Sequence, residues 1–183
     1  MSAIFPSVRA IGEGKGETLF YLTAKTITGT VAQEAFHILR EKGLKFKVTA
    51  ITAKEKLCFQ DTPECTPEKC PYAKGHFDRV NDAVYELWTT EEVYSREVIR
   101  AHAEKWQVCP FEMCLDLSIW VDGIICDYNY VFDPNVHLKR FFGENISGDH
   151  IFLIDEAHNL VERGREMYSC LLYTSDAADD TPC

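Results

Sequence analysis

Short apolar runs alternate along the chain with amphipathic stretches, which predicts alternating strands and helices. Residues 18–23 are apolar and aromatic and follow the turn-forming residues 12–16, as expected for a buried strand. Apolar residues recur at helical spacing over residues 27–42, and Gly43 follows as a helix stop. Residues 45–52 alternate with a period of two and predict a second strand. A strand, a helix and a strand at these lengths are typical of a βαβ unit.

The pattern changes at residues 53–75, where Cys, Pro, Glu and Lys dominate and apolar periodicity is absent. Helices are predicted next over residues 76–88 and 91–105, and Pro110 suits the first turn of a third. The α/β pattern then resumes with a predicted strand at residues 123–127 and ends in a strongly apolar strand at residues 150–155. The predicted fold class is therefore α/β, a parallel sheet interrupted by a mostly helical insertion that carries cysteines.

Composition limits the class of protein. Of the 183 residues, 46% are hydrophobic and 12% aromatic, which is typical of a globular chain. No apolar run approaches the ~20 residues of a membrane span, and the N-terminus lacks the build of a signal peptide. We therefore predict a cytoplasmic protein with no membrane contact. Since the formal net charge is -10, binding to a nucleic acid would need a local basic or backbone-donor surface.

Residues 170–183 differ abruptly from the rest of the chain. Their first part, Cys170-Leu-Leu-Tyr-Thr-Ser175, resembles the translation of a transposon-end adapter used in DNA sequencing libraries. We predict that residues 170–183 are a sequencing-adapter artefact and leave them out of the predicted fold. Without Cys170 and Cys183, six of the eight cysteines remain.

The strand that ends in acid carries candidate catalytic residues. In nucleotide hydrolases, a buried parallel strand delivers a carboxylate to the carboxyl edge of the sheet, where it holds Mg²⁺ against the nucleotide phosphates. Asp155 is therefore the candidate Mg²⁺ and cofactor-binding residue, and Glu156 is the candidate group that orients or activates water. The pair Asp-Glu alone is equally typical of a solvated junction between a strand and a loop.

Four cysteines form a candidate metal site with irregular spacing, Cys58-x6-Cys65-x4-Cys70-x38-Cys109. The close Cys pairs of structural zinc sites are missing, whereas a 4Fe-4S cluster needs only four convergent thiolates. The spacing favours an iron–sulfur cluster and leaves zinc as the alternative. The two other cysteines, Cys114 and Cys126, lie in apolar surroundings, so we predict that they are packing residues.

These motifs together resemble those of superfamily 2 iron–sulfur DNA helicases of the DinG/XPD kind. Asp155-Glu-Ala-His158 resembles the DEAH box, and residues 127–134 resemble the segment that precedes it. The cluster-binding insertion of bacterial DinG-like helicases is similar to the segments Cys58-Phe, Cys65-Thr-Pro-Glu-Lys-Cys70-Pro-Tyr-Ala-Lys-Gly and Cys109-Pro-Phe-Glu. Thr23-Ala-Lys-Thr26 resembles motif Ia, which contacts the backbone of single-stranded DNA. The resemblance covers residues 1–169 in the order of the family.

The resemblance implies a partial P-loop NTPase (RecA-like) sheet with three parts. They are the first part of motor domain 1 (residues 1–52), an iron–sulfur insertion (53–120) and motor domain 1 resumed with the DEAH box (121–169). It also implies that His158 couples the nucleotide site to the DNA-binding domains, and that Thr23, Lys25 and Thr26 bind DNA. A P-loop needs Gly-x-x-x-x-Gly-Lys-Ser/Thr, which residues 12–16 do not match. We expect that loop upstream of Met1, so that the ATP site is incomplete here.

The predicted function is that of an ATP-dependent DNA helicase, with a 4Fe-4S cluster, Mg²⁺ and ATP as cofactors. Single-stranded DNA and fork-like or overhang duplexes are the predicted partners, in DNA repair or replication, and the chain alone is expected to be inactive. One alternative is a non-enzymatic iron–sulfur or zinc module for DNA binding or redox sensing, which leaves residues 155–158 without a role. Another is a helicase-fold nuclease.

Overall fold

Strands at the centre of the molecule pair into a parallel sheet in the computed structural model, which describes residues 3–24, 26–144 and 146–176. The strands are β1 (Thr18–Thr23), β2 (Val48–Ala50), β3 (Gly123–Asp127) and β4 (His150–Ile154). Their order is β2-β3-β1-β4, and each neighbouring pair is parallel. The predicted α/β class and parallel sheet are confirmed.

Helices cover both faces of this sheet. They are α1 (Ile4–Gly12), α2 (Thr26–Glu41), α3 (Lys54–Leu57), α4 (His76–Thr90), α5 (Arg96–Trp106), α6 (Pro110–Leu117), α7 (Asn129–Phe132), α8 (Lys139–Phe142) and α9 (Leu160–Asp176). Helices α3 to α6 lie between β2 and β3 in the chain. Helix α9 continues to Asp176, and the origin of residues 170–183 stays a prediction. No helix in the described ranges is long and apolar enough to cross a membrane.

The alternation of side chains along β1 and β3 divides the core into two layers. Leu19 and Ile125 point to the face covered by α1 and α2, where Phe36 and Val8 pack. The opposite face of the same strands packs against the insertion and the C-terminal helices through a larger set: Phe20, Leu22, Ile124, Cys126, Met113, Leu117 and Met167. Both faces of the central strands β1 and β3 are buried, as is usual for a parallel sheet, whereas the edge strand β4 is partly exposed.

Strand β2 is shorter than the sequence predicted for residues 45–52. Its ladder with β3 starts where Val48 pairs with Gly123, so the residues before Val48 have no strand beside them. The N–H of Lys47 donates instead to the carboxylate of Asp122, at 2.7 Å. The Lys47 ammonium donates to the hydroxyl of Tyr94 at 2.9 Å, which ties the start of β2 to the segment after α4.

Helix α6 attaches the insertion to the sheet. Cys114 is fully buried on this helix, and its Sγ lies 3.9 Å from the Thr49 hydroxyl of β2. Burial raises the pKa of the Cys114 thiol to about 11, so the side chain is an uncharged packing group. Cys126 is 2% exposed on β3 and has a pKa raised by the same cause. Both cysteines therefore lie in the core, as the sequence predicted.

Substitution of Ile124 by Ala tests the core. The side chain is 1% exposed on β3, so truncation leaves a cavity and should lower the free energy of unfolding by about 2–5 kcal/mol. Urea denaturation measures the loss. Ile119→Ala removes the same atoms from a side chain that is 54% exposed, and should change stability by no more than ~0.5 kcal/mol. Equal losses from the two variants would contradict the central position of β3.

Candidate functional site

The carboxyl edge of the sheet brings the predicted motor residues together. Thr23 at the end of β1 pairs in register with Asp127 at the end of β3. On the other side of β1, the N–H of Asp155 donates to the carbonyl of Leu22 at 2.9 Å, which extends the pairing with β4 by one residue. Thr23 and Asp127 end their strands and Asp155 directly follows β4, so the three residues lie at one edge of the sheet.

A tight turn follows Asp155 and presents the other two predicted catalytic residues. Glu156 has a φ of 52°, in the left-handed region that residues with a Cβ seldom occupy, and Ala157–Asn159 forms a 3₁₀ turn. One Glu156 carboxylate oxygen lies 3.6 Å from Nε2 of His158 and 3.5 Å from the amide nitrogen of Asn159. Backbone strain of this kind is typical of functional sites. The turn holds Glu156 and His158 close to each other with their side chains exposed.

Tyr128 holds this turn in place, a role that sequence reasoning missed. Its side chain is fully buried, and its hydroxyl donates to the carbonyl of Asp155 and, at 3.2 Å, to that of Glu156. Burial and the nearby Asp155 carboxylate raise the pKa of Tyr128, so the hydroxyl keeps its proton and remains a donor. The only sequence signal is the position of this Tyr directly after the acidic end of an apolar strand.

An ion pair fixes the helix that follows the turn. Arg163, in the first turn of α9, reaches both carboxylate oxygens of Asp127, at 3.0 and 3.2 Å. Both contacts come from one guanidinium nitrogen, and hydrogen bonds between charged partners are stronger than those between neutral groups. Tyr128 thus holds the DEAH turn, residues 155–159, to the end of β3 on one side, and Arg163 holds it on the other.

A groove of about 340 Å³ opens at the same edge, beside the predicted DNA-binding residues. Thr23 lines it, Lys25 lies outside the described residues, and Thr26 begins α2. Thr52 and Asn129 also line the groove, and their Oγ1 and Oδ1 atoms are buried without a hydrogen-bond partner within the described ranges. Buried polar atoms of this kind are normally satisfied, so these two atoms are available to an ordered water or to a polar ligand in the groove.

The four predicted cluster cysteines line a single cavity of about 290 Å³. Cys58 follows α3, Cys65 and Cys70 lie in the turns before α4, and Cys109 precedes α6. No three Cys, His, Asp or Glu side chains in the part of the chain that the structure describes are placed to hold a single metal ion. Cys58, Cys65, Cys70 and Cys109 thus line a common cavity without being arranged around a single ion.

Neighbouring cations and helices fix the walls of this cavity. Arg100 on α5 donates to the carbonyls of Leu57 and Cys58 at 2.5 and 2.8 Å, and its guanidinium lies 4.5 Å from the ring centre of Phe59. A hydrogen bond with Cys65 raises the pKa of Lys54, which keeps that ammonium charged beside the thiols. Burial raises the pKa of Cys109, so in the absence of a metal this side chain is a neutral thiol.

The model of the DEAD_2 family matches residues 36–176, which is most of the chain. The chain belongs to the DEAD_2 family. Among relatives, the yeast Saccharomyces cerevisiae protein "General transcription and DNA repair factor IIH helicase subunit XPD/RAD3" is 32% identical over 114 residues, 62% of this chain. The Gallus gallus "Fanconi anemia group J protein homolog" is 29% identical over 85 residues, 46% of this chain. This DEAD_2 chain spans only 14% and 6% of the length of these two proteins.

A solved structure described as "Truncated XPD" has the same fold. It superposes with a TM-score of 0.57 at 20% sequence identity, covering 86% of the DEAD_2 chain and 44% of the solved one.

Replacement of Tyr128 by Phe tests how the DEAD_2 chain holds its DEAH turn. The two carbonyls lose a buried donor, so the free energy of unfolding should fall by about 1–3 kcal/mol, and amide hydrogen exchange at residues 155–159 should become faster. Tyr168→Phe is the matched control, because that hydroxyl donates to the Phe132 carbonyl from a side chain that is 51% exposed. Unchanged exchange at the turn in Tyr128→Phe would contradict the role given to the hydroxyl.

Proposed function

We propose that this chain is part of the first motor domain of an ATP-dependent DNA helicase that translocates on single-stranded DNA and unwinds duplexes. The observation that carries the proposal is the placement of Asp155 and Glu156 on a rigid turn at the carboxyl edge of a parallel sheet. Nucleotide hydrolases of this architecture bind their ligand at that edge. The names of the matched relatives, a helicase subunit among them, support the same reading. Fork-like or overhang duplexes, DNA repair or replication, and a cytoplasmic location belong to this proposal.

In the proposed reaction, Asp155 would hold Mg²⁺, and Glu156 would orient the attacking water. The metal supplies charge neutralisation for the phosphates, while the protein contributes position and a preorganised electrostatic environment. Because the Tyr128 hydroxyl fixes the backbone carbonyls of Asp155 and Glu156, the Asp155 carboxylate would meet the nucleotide without reorganisation of the turn. His158, at 3.6 Å from the Glu156 carboxylate, is placed to respond to the state of that carboxylate.

We infer that the groove beside Thr23 binds the backbone of single-stranded DNA. Hydroxyls and amides hold phosphates and sugars without reading sequence, and Thr23, Thr52 and Asn129 supply such groups at the ends of three adjacent strands. Lys56 on the groove wall adds positive charge in a chain whose net charge is -10. DNA would thus lie on one side of β1 and the nucleotide on the other, which allows β1 to connect the two sites.

The four-thiol cavity would hold a 4Fe-4S cluster through Cys58, Cys65, Cys70 and Cys109. The residues present fit this group in their chemistry, because four cysteines line one cavity and four thiolates are the usual ligand set of a 4Fe-4S cluster. When bound, the cluster would join α3, the turns before α4 and the start of α6 through four covalent bonds. It would thereby order a segment that contains few apolar residues.

Cysteine substitutions test the ligand set. Anaerobically prepared protein should contain about four irons and four sulfides per chain. Changing Cys58, Cys65, Cys70 or Cys109 to Ser should abolish iron binding, as measured by iron analysis and visible absorbance. Cys114→Ser and Cys126→Ser are matched controls, since both thiols are buried in the core outside the cavity. If protein from cells supplied with iron contained stoichiometric zinc and no iron, the cluster proposal would be wrong and the cavity would be a zinc site.

Glu156→Gln tests the motor in a full-length protein that contains this chain and a complete ATP site. The amide preserves the shape but cannot accept a proton from water, so Mg·ATP should still bind while DNA-stimulated phosphate release falls on the order of 10²–10⁴-fold. Asp155→Asn should weaken Mg²⁺ binding as well. Glu162→Gln, at an exposed carboxylate in the first turn of α9, is the control and should leave turnover unchanged.

Near-normal turnover by the Glu156→Gln protein would refute the role of this residue. Iron binding together with a complete lack of ATP hydrolysis by the unsubstituted full-length protein would instead favour a non-enzymatic iron–sulfur module.

A further inference from the structure

His76 is a buried histidine at the wall of the four-thiol cavity. It is the first residue of α4, and its side chain is 4% exposed. It lines the cavity together with Cys70 and Cys109. Among the histidines in the described ranges, it is the one that lines this cavity. Neither the cysteine motif nor the DEAH box gives it a role.

The hydrogen bonds of His76 determine which ring nitrogen carries the proton. The backbone N–H of Cys109 donates to Nδ1 at 3.2 Å, so Nδ1 must be the unprotonated nitrogen. An imidazole whose Nδ1 accepts a hydrogen bond carries its hydrogen on Nε2.

The Nε2–H group has no acceptor within the described part of the chain. Nε2 is not one of the fully buried polar atoms that lack a partner, so this donor remains accessible although the residue as a whole is 4% exposed. An accessible donor in the wall of a cavity can bond to a group that is bound in that cavity. The sulfur atoms of a cluster bound by the neighbouring cysteines would be acceptors at the wall where His76 lies. Hydrogen bonds to sulfur are one of the means by which proteins set the reduction potential of iron–sulfur clusters.

We propose that His76 is a positioning residue of the cluster site, in which Nδ1 fixes the backbone of Cys109 and Nε2–H donates a hydrogen bond to a cluster sulfur. The inference rests on the proposed 4Fe-4S cluster. The hydrogen bond strengthens when the cluster gains one electron, because the sulfurs then carry more negative charge. His76 therefore raises the midpoint potential of the cluster.

Two substitutions separate the two hydrogen bonds. In His76→Asn, the side-chain oxygen can replace Nδ1 as the acceptor for Cys109, but the side chain is too short to replace Nε2. In His76→Gln, the longer side chain can place an N–H group near the former Nε2 position, while the acceptor for Cys109 is lost. The first variant thus removes the bond to sulfur, and the second removes the bond to the Cys109 backbone.

The measurement is a one-electron reductive titration of the anaerobic full chain at an electrode, followed by electron paramagnetic resonance. His76→Asn should retain its iron and show a more negative midpoint, by about tenfold in the redox equilibrium or ~59 mV. His76→Gln should stay nearer the wild-type midpoint and bind less iron. His102→Asn, a change at a histidine of α5 outside the cavity, should leave both values unchanged. A wild-type midpoint in His76→Asn would overturn the inference.

A second measurement uses the unsubstituted protein and does not depend on a variant that folds. With histidine labelled with ¹⁵N, pulsed electron paramagnetic resonance of the reduced cluster should detect coupling to one imidazole nitrogen. Lack of that coupling in an iron-loaded protein would refute the role of His76 and leave the cluster proposal intact. Lack of iron in the wild-type protein would refute the cluster proposal, and the inference with it.

Discussion

The parallel pairing of β1 with β3 on one side and with β4 on the other is the constraint on which the site depends. In a parallel ladder, register fixes where each strand ends relative to its neighbours. The register places Thr23 level with Asp127 and carries Asp155 one residue past the end of β4. Candidate DNA-binding and nucleotide-binding groups therefore share one edge because of backbone hydrogen bonds alone. If the pairing of β1 shifted by one residue, every β1 side chain would point to the opposite face of the sheet. Because both faces of β1 are buried, the packing of the core would be lost on each side.

The insertion between β2 and β3 is compatible with this sheet because the two strands are direct neighbours. The chain leaves the sheet after Ala50 and returns at Gly123, next to the start of β2, where Gly123 donates to the carbonyl of Lys47 at 3.0 Å. Helix α6 then connects the cysteine cavity to the sheet, with Cys109 at its start and Cys114 packed on Thr49. The cavity wall and the sheet are thus parts of one packed body.

Sequence patterns predicted the elements whose signals are local, and missed those that tertiary structure decides. Strands β1, β3 and β4 were predicted because they are short apolar runs with turns beside them. Strand β2 was predicted too long, since alternation over residues 45–52 cannot show that β3 begins only opposite Val48. Helix α1 was missed, although Ile4 and Val8 have helical spacing, because no side chain caps its start. The role of Tyr128 depends on two carbonyls 27 and 28 residues away, and that of His76 on a backbone N–H 33 residues away.

The arrangement around Asp155 distinguishes the function classes better than the cysteines do. A four-thiol cavity occurs equally well in a sensor, a structural module or a motor, so it carries little information about catalysis. A solvated junction between a strand and a loop, in contrast, has no need of a left-handed Glu156, a fully buried tyrosine hydroxyl on two consecutive carbonyls and an ion pair behind them. Strain of this kind persists only where the surrounding structure enforces it, and it costs of order 1–3 kcal/mol. A turn so firmly held is suited to presenting two carboxylates in fixed positions, which is what phosphoryl transfer requires of a protein.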